Sequence, residues 1–259
     1  MKNSILALGL MWGFCATASM PHVSLWRMDC GSFVTKRLTN SCYLVRHDHD
    51  YMLWDAGFGT ELLGRPQVHG KGSWIELKQS LVAQLALLGL RTGQVGILGI
   101  SHTHFDHIGQ AADFPTARLL MGKEDWETMR AQSPDATSES QRLKPWLDEG
   151  APKELMGGDK DVFGDGSVVM IATPGHTPGH YSLLVRLERS GAILLTGDLY
   201  YSAQQYVQDE VPKHNSSAAA TLASFARFRA LAKAMQATVI IQHEPADVLK
   251  LPPFPNAAE

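Results

Sequence analysis

Three histidines and an aspartate fall within six residues in Ser101-His102-Thr103-His104-Phe105-Asp106-His107. In an extended segment, residues two apart point the same way, so His102 and His104 can grip one metal ion from one side. Asp106 and His107 follow as the chain turns and can face a second ion. Three groups repeat the theme further on: His176 in Pro174-Gly175-His176-Thr177-Pro178-Gly179-His180, Asp198 in Thr196-Gly197-Asp198, and His243 in Gln242-His243-Glu244-Pro245. Imidazole nitrogens and carboxylate oxygens with no thiolate nearby suit Zn²⁺, Fe or Mn better than Cu(I). A lone histidine is ordinarily a hydrogen-bonded polar residue, and His22, His47, His49, His69 and His214 are read that way. Five histidines and two aspartates gathered at the ends of apolar runs are a different pattern. They predict a metal centre.

The elements that must position these donors are legible in outline. An apolar run of strand length, 95–100, stops at Ser101. Further strands are expected at 23–28, 41–46, 51–54, 167–173, 181–187, 192–196 and 238–242. Four of these runs each deliver a histidine or aspartate at their C-terminal end, which is where open α/β sheets place their sites. Apolar spacing predicts a helix over 75–88 with Gly89 as its stop, one beginning near Lys123, and a long one over 216–235. The polar stretch 132–164 is read as an excursion or lid. No repeat and no linker divides the chain, so the expectation is one α/β domain with helices packed outside its sheets.

Composition narrows the function classes. The chain has 259 residues, 44% hydrophobic and 19% charged, with a formal charge of −3. A core of that content argues against disorder, and the absence of a basic patch argues against nucleic-acid binding. Lys2, the apolar stretch from Ile5 to Phe14 and Ala16-Thr17-Ala18 arrive in the order of a secretory signal. Residues 1–18 are therefore read as a signal peptide and 19–259 as the single mature domain, periplasmic or secreted and not membrane-spanning after cleavage. Cleavage removes only Lys2 among charged residues and takes the formal charge to −4. Cys15 would leave with the signal. Cys30 and Cys42 either form a disulfide, as an oxidising compartment allows, or lie as two separate buried thiols.

The motif at 102–107 resembles the metallo-β-lactamase superfamily, with His176, Asp198 and His243 matching its remaining ligands in order. The resemblance runs from Leu25-Trp26-Arg27 through Trp54-Asp55-Ala56-Gly57 to His243, and implies a four-layer αβ/βα sandwich. Within the superfamily the likeness is to the N-acyl-homoserine lactonases, through Ser41-Cys42-Tyr43-Leu44, the turn at Asp55 and the tyrosine three residues beyond Asp198. Between Gly31 and Leu38 the chain is shorter than many lactonases, which carry a loop over the substrate there.

The likeness implies two divalent ions, Zn²⁺ first with Fe, Mn or Co as alternatives. His102, His104 and His176 would hold one, Asp106, His107 and His243 the other, with Asp198 bridging. Asp55 would orient a ligand histidine, His180 would belong to its strand or contact the ligands, and a free thiol at Cys42 would be familiar from cytosolic relatives. The implied reaction is opening of a small lactone by water activated between the metals. Tyr201, with Tyr200 as its substitute, would hydrogen-bond the carbonyl oxygen, and Asp106 would carry a proton to the leaving alkoxide. A homodimer is left open.

Rival uses of the scaffold fit less well. A β-lactamase of this superfamily usually lacks the bridging aspartate, and glyoxalase-type thioesterases add a basic C-terminal extension where this chain runs from Leu251-Pro252-Pro253-Phe254 to Glu259. Other ester or thioester hydrolysis, or a catalytically silent metal-binding protein, remain as alternatives.

Overall fold

The computed structural model describes residues 21–70, 72–131, 139–148 and 150–259; the expected signal segment lies outside them. Two sheets stack face to face. The first has eight strands in the order β4-β5-β1-β2-β3-β6-β7-β8: β1 (Val23–Phe33), β2 (Leu38–His47), β3 (Asp50–Trp54), β4 (Gln67–His69), β5 (Ser73–Glu76), β6 (Val95–Gly99), β7 (Arg118–Gly122) and β8 (Lys153–Met156). The second runs β13-β12-β11-β10-β9: β9 (Lys160–Asp161), β10 (Val168–Ala172), β11 (Tyr181–Leu187), β12 (Gly191–Leu195) and β13 (Thr238–Ile240). Helices α1 (Leu81–Leu87), α2 (Phe105–Ile108), α3 (Lys123–Ala131), α4 (Glu139–Arg142), α5 (Lys144–Leu147), α6 (Ala203–Gln208) and α7 (Ala218–Ala234) complete the chain.

Strand alternation builds the layers. On β2, Tyr43 and Val45 point inward to meet Leu183 and Val185 of β11 in the core between the sheets, while Cys42 and Leu44 point outward. The outward face packs under Leu81 and Leu85 of α1, Trp126 of α3 and Trp146 of α5. On the far side, Leu184 and Leu194 pack against Phe225 and Phe228 of α7. Strands buried on both faces read as continuous apolar runs, which is why these were visible in the sequence. The result is the four-layer αβ/βα sandwich in one domain.

Two expectations are corrected and one open alternative is decided. The helix expected over 75–88 divides: Ile75 belongs to β5, paired with Phe33, and the helix starts only at Leu81, where the Ser80 hydroxyl accepts from the Ala83 N–H at 3.1 Å. The stretch 132–164, expected as a polar excursion or lid, contains regular structure: Lys153–Met156 form β8, a parallel strand beside β7. Of the two alternatives left open for the cysteine pair, the disulfide is the one formed: Cys30 and Cys42 are bonded with Cα atoms 5.7 Å apart. A register shift between Asp29 and Ser32 interrupts the pairing of β1 with β2 at Cys30, and sequence spacing does not reveal such a bulge.

Candidate metal centre

Five strand ends converge at one rim. β6 runs into His102 and His104, and the short α2 follows with Asp106 and His107. β10 leads to His176, β12 to Asp198, β13 to His243 and β3 to Asp55. Gly109 lets the end of α2 dock on the turn after Asp55, since a Cβ there would meet the Phe58 carbonyl carbon at 2.2 Å. The Ala56 N–H donates to the His107 carbonyl at 2.6 Å across that contact.

The donors form two sets. His102 Nε2, His104 Nδ1 and His176 Nε2 make a triangle with edges of 3.0, 3.1 and 2.9 Å. His107 Nε2 and His243 Nε2 face Asp106 Oδ2 at 3.6 and 3.7 Å. Asp198 stands between. Its Oδ2 lies 3.4 Å from His176 Nε2 and 3.8 Å from His102 Nε2, and its Oδ1 lies 3.1 Å from both His107 Nε2 and His243 Nε2. Each carboxylate oxygen therefore serves one set.

The outward nitrogens of these rings have their own partners, which fixes what points inward. His176 Nδ1 donates to the His214 carbonyl at 2.9 Å, and His243 Nδ1 to the Thr39 carbonyl at 2.8 Å. Asp55 Oδ2 accepts from His107 Nδ1 at 2.9 Å and from the Ser101 hydroxyl at 2.9 Å, and that hydroxyl lies 3.1 Å from His102 Nδ1. One buried carboxylate thus supports histidines of both sets. A neutral ring whose proton is committed outward turns a lone pair inward. His107 Nε2 and Asp198 Oδ1 are buried without a hydrogen-bond partner. Lone pairs facing a carboxylate oxygen at 3.1 Å need a positive charge between them, and the N/O donor chemistry fits two divalent ions.

The electrostatics of these side chains tell the same story. Burial, and then neighbouring His107, holds His102 well below the usual histidine range, and burial brings His176 down to about 4. Burial also acts against a charge on His107, yet Asp198, Asp106 and Asp55 carry it well above its ordinary value. Burial opposes ionisation of Asp198, but His243, His107 and His102 together hold its carboxyl well below the carboxylate range.

His180 is a support rather than a member of either set. Its Nδ1 donates to the Thr173 carbonyl at 3.0 Å and its Nε2 accepts the Asp198 backbone N–H at 2.9 Å. Gly197 at φ +55° brings that N–H into reach. Tyr201 reaches the site, its hydroxyl 3.3 Å from His176 Nδ1. Tyr200 does not: it stacks on Phe225 with ring centroids 4.1 Å apart, in the core beneath α7.

The donors open into a cavity of ≈ 770 Å³. One wall is Phe33, Leu38, His69 and Phe105, and the other includes Gln205, Lys213, His214 and Asn215. Two histidines that the sequence reading set aside are therefore at the site. His69 stacks on Phe105 at 4.4 Å, and the His214 carbonyl anchors His176. His214 acts through its backbone, which residue type does not disclose. Asp125 was also missed: it is buried on α3 and accepts from the Thr177 hydroxyl and the Gly179 N–H, both at 2.7 Å, pinning the loop that carries His176.

A sandwich of this layering with seven such donors at its strand ends defines a class, and residues 35–243 match the family model of the metallo-β-lactamase superfamily. The chain belongs to that superfamily and is a metal-dependent hydrolase. It is similar to the N-acyl homoserine lactonase AttM of Rhizobium radiobacter, 30% identical over 88% of this chain and 91% of the relative. It is also similar to an N-acyl homoserine lactonase of Bacillus cereus, 26% identical over 78% and 80%. Among solved structures, an N-acyl homoserine lactone hydrolase with the product N-hexanoyl-L-homoserine at its catalytic metal centre superposes with a TM-score of 0.75 at 21% identity, over 93% of this chain and 100% of that one. That likeness is one of fold.

Proposed function

We propose that this protein hydrolyses the ring ester of N-acyl-homoserine lactones, using two divalent metal ions, Zn²⁺ first among them. The observation that carries the reading is the division of Asp198, one oxygen toward each set of donors. His102, His104 and His176 would hold one ion and Asp106, His107 and His243 the other, with Asp198 shared between the two sets. Such a pair supplies a water of pKa near ~7 and polarises the ester carbonyl.

The chain's own residues do the rest. Burial, then the charges of Asp198 and Asp106, push the Tyr201 phenol above its ordinary range, so it stays protonated. The Tyr201 hydroxyl, which faces Asp198 and lies 3.3 Å from His176 Nδ1, would turn its hydrogen to the carbonyl oxygen as that oxygen gains charge. The new bond joins water oxygen to the carbonyl carbon and the ring C–O bond breaks. Asp106 passes the water proton to the leaving alkoxide, giving the open hydroxy acid. The wall of Phe33, Leu38 and Phe105 suits an apolar acyl chain.

Export is part of the proposal. The Cys30–Cys42 disulfide adds to the signal-like N-terminus as support, since disulfides persist in oxidising compartments. Among the described residues no helix is long and apolar enough to cross a membrane.

The test is a panel: metal-loaded protein against acyl-homoserine lactones of several chain lengths, a simple lactone, a thioester and a β-lactam, with products identified by mass. Ring-opened hydroxy acid is expected. A protein that holds its metals, cleaves the thioester and leaves every lactone intact would remove the lactonase reading.

A further inference from the structure

Two of the three donors of one metal set, Asp106 and His243, are tied to the start of β2. Thr39 exchanges two bonds with His243: its carbonyl accepts from His243 Nδ1 at 2.8 Å and its N–H donates to the His243 carbonyl at 3.3 Å. The next residue, Asn40, is fully buried and reaches the other way, its Nδ2 donating to the Asp106 carbonyl at 2.6 Å. Gln242, 3% exposed, closes the arrangement by donating from Nε2 to Asn40 Oδ1 at 2.8 Å and to the Ser41 carbonyl at 2.6 Å.

The orientation of both amides follows from what they face. Asn40 Nδ2 meets two carbonyls, of Asp106 and of Cys30 at 3.5 Å, so turning the amide over would set oxygen against oxygen. Gln242 Nε2 likewise meets only acceptors. No donor in the pair is left to choose another partner. Asp106 follows β6 and His243 follows β13, in different sheets, and the Asn40–Gln242 pair joins them through side chains 202 residues apart in sequence.

We infer that Asn40 and Gln242 are positioning residues for the second donor set, holding Asp106 and His243 in register so that one ion is bound tightly. The inference rests on the dinuclear reading proposed above. It separates the two sets: among the described residues the His102, His104 and His176 side chains have no bond to this pair, and the loop that carries His176 is held instead by Asp125 and His214. Neither amide touches the reacting atoms, so its effect passes through metal occupancy. Loss of a group that orients a metal ligand typically costs ~10- to ~100-fold in affinity.

The experiment follows metal release from Zn²⁺-loaded protein to a chelating dye, with total metal counted by mass spectrometry. Asn40→Asp keeps the shape but sets a carboxylate oxygen against the Asp106 carbonyl. One of two ions should leave about 10-fold faster or more, the other at the parent rate. Gln242→Glu, with an oxygen opposed to Asn40 Oδ1 and the Ser41 carbonyl, carries the same expectation and serves if Asn40→Asp does not fold. Ser41→Ala, next to Asn40 on β2, removes a hydroxyl that accepts from Arg27 Nε on β1 at 2.8 Å and leaves the Ser41 carbonyl in place, so it should release both ions as the parent does. Unchanged release in both amide variants overturns the inference. So does equal acceleration of both ions with a matching fall in thermal stability, the mark of a merely structural role. A parent that never holds two ions fails before any variant is made, and takes the dinuclear reading down with it.

Discussion

Asp55→Asn isolates what one buried carboxylate contributes to the centre. Asp55 sits at φ +61°, a region asparagine tolerates, so the backbone need not move. Its Oδ1 accepts the Ser101 N–H at 2.7 Å, which fixes where the amide oxygen of the variant must go. The new NH₂ then occupies the Oδ2 position, 2.9 Å from both the Ser101 hydroxyl and His107 Nδ1. The hydroxyl can rotate and accept. His107 cannot keep its Nδ1 proton against a second donor, so it changes tautomer and turns an N–H toward Asp198, where a metal needs a lone pair. Undoing that costs one charge-assisted hydrogen bond, about 1.5–3 kcal/mol, and at ~1.4 kcal/mol per tenfold this is roughly 10- to 100-fold in affinity for the ion at His107. Competitive titration with a zinc chelator measures that affinity, and the ¹⁵N shifts of His107 report its tautomer. An Asn variant with parental affinity for both ions and an unchanged tautomer would refute the reasoning.

Other outcomes follow from the same geometry. Tyr201→Phe should lower lactone turnover about 10-fold, less than the ~10²–10³ of an essential lone donor because a metal shares the oxygen; Tyr200→Phe, in the core, should leave turnover unchanged, and steady-state kinetics of the two decide the assignment. Burial lowers His176 to about 4 and His180 to about 3, so the unfolded chain takes up protons below ~6.5 that these rings refuse when folded. Stability of the Zn²⁺-loaded protein should therefore fall as pH drops from about 6.5 toward 4, which urea unfolding across that range checks; a flat profile would contradict it. Mass measurement after expression in a bacterial host should show a new N-terminus near Ser19, and intact Met1 in the exported fraction would count against cleavage.

The centre was legible because its donors are clustered in sequence and its strands are buried on both faces. His102, His104, Asp106 and His107 share one turn, and β6, β10, β12 and β13 are apolar without interruption, so where each stops is visible. The β4–β5 hairpin was not legible, since every residue of β4 is exposed and no periodicity marks it. Ile75, on β5, was counted into a helix because it stands just ahead of the helical series Leu77, Leu81, Leu85 and Leu88. His69 lies on β4, so its stack on Phe105 was hidden with that hairpin.

What surrounds the donors was harder to read for a different reason. A histidine ligand works only if its other nitrogen is held, and the holders here are mostly backbone carbonyls: Thr39 for His243, His214 for His176. Any residue type supplies a carbonyl, so composition and motif carry no trace of it. The side chains that do hold donors come from elements far away in sequence, Asp55 from the end of β3 and Asn40 from β2. Asp55 was nameable only through resemblance, and Asn40 was not named. The ligands state which chemistry the chain can do. The carbonyls and amides behind them decide whether both ions are held in the same molecule, which is why the informative substitutions lie one residue behind the ligands.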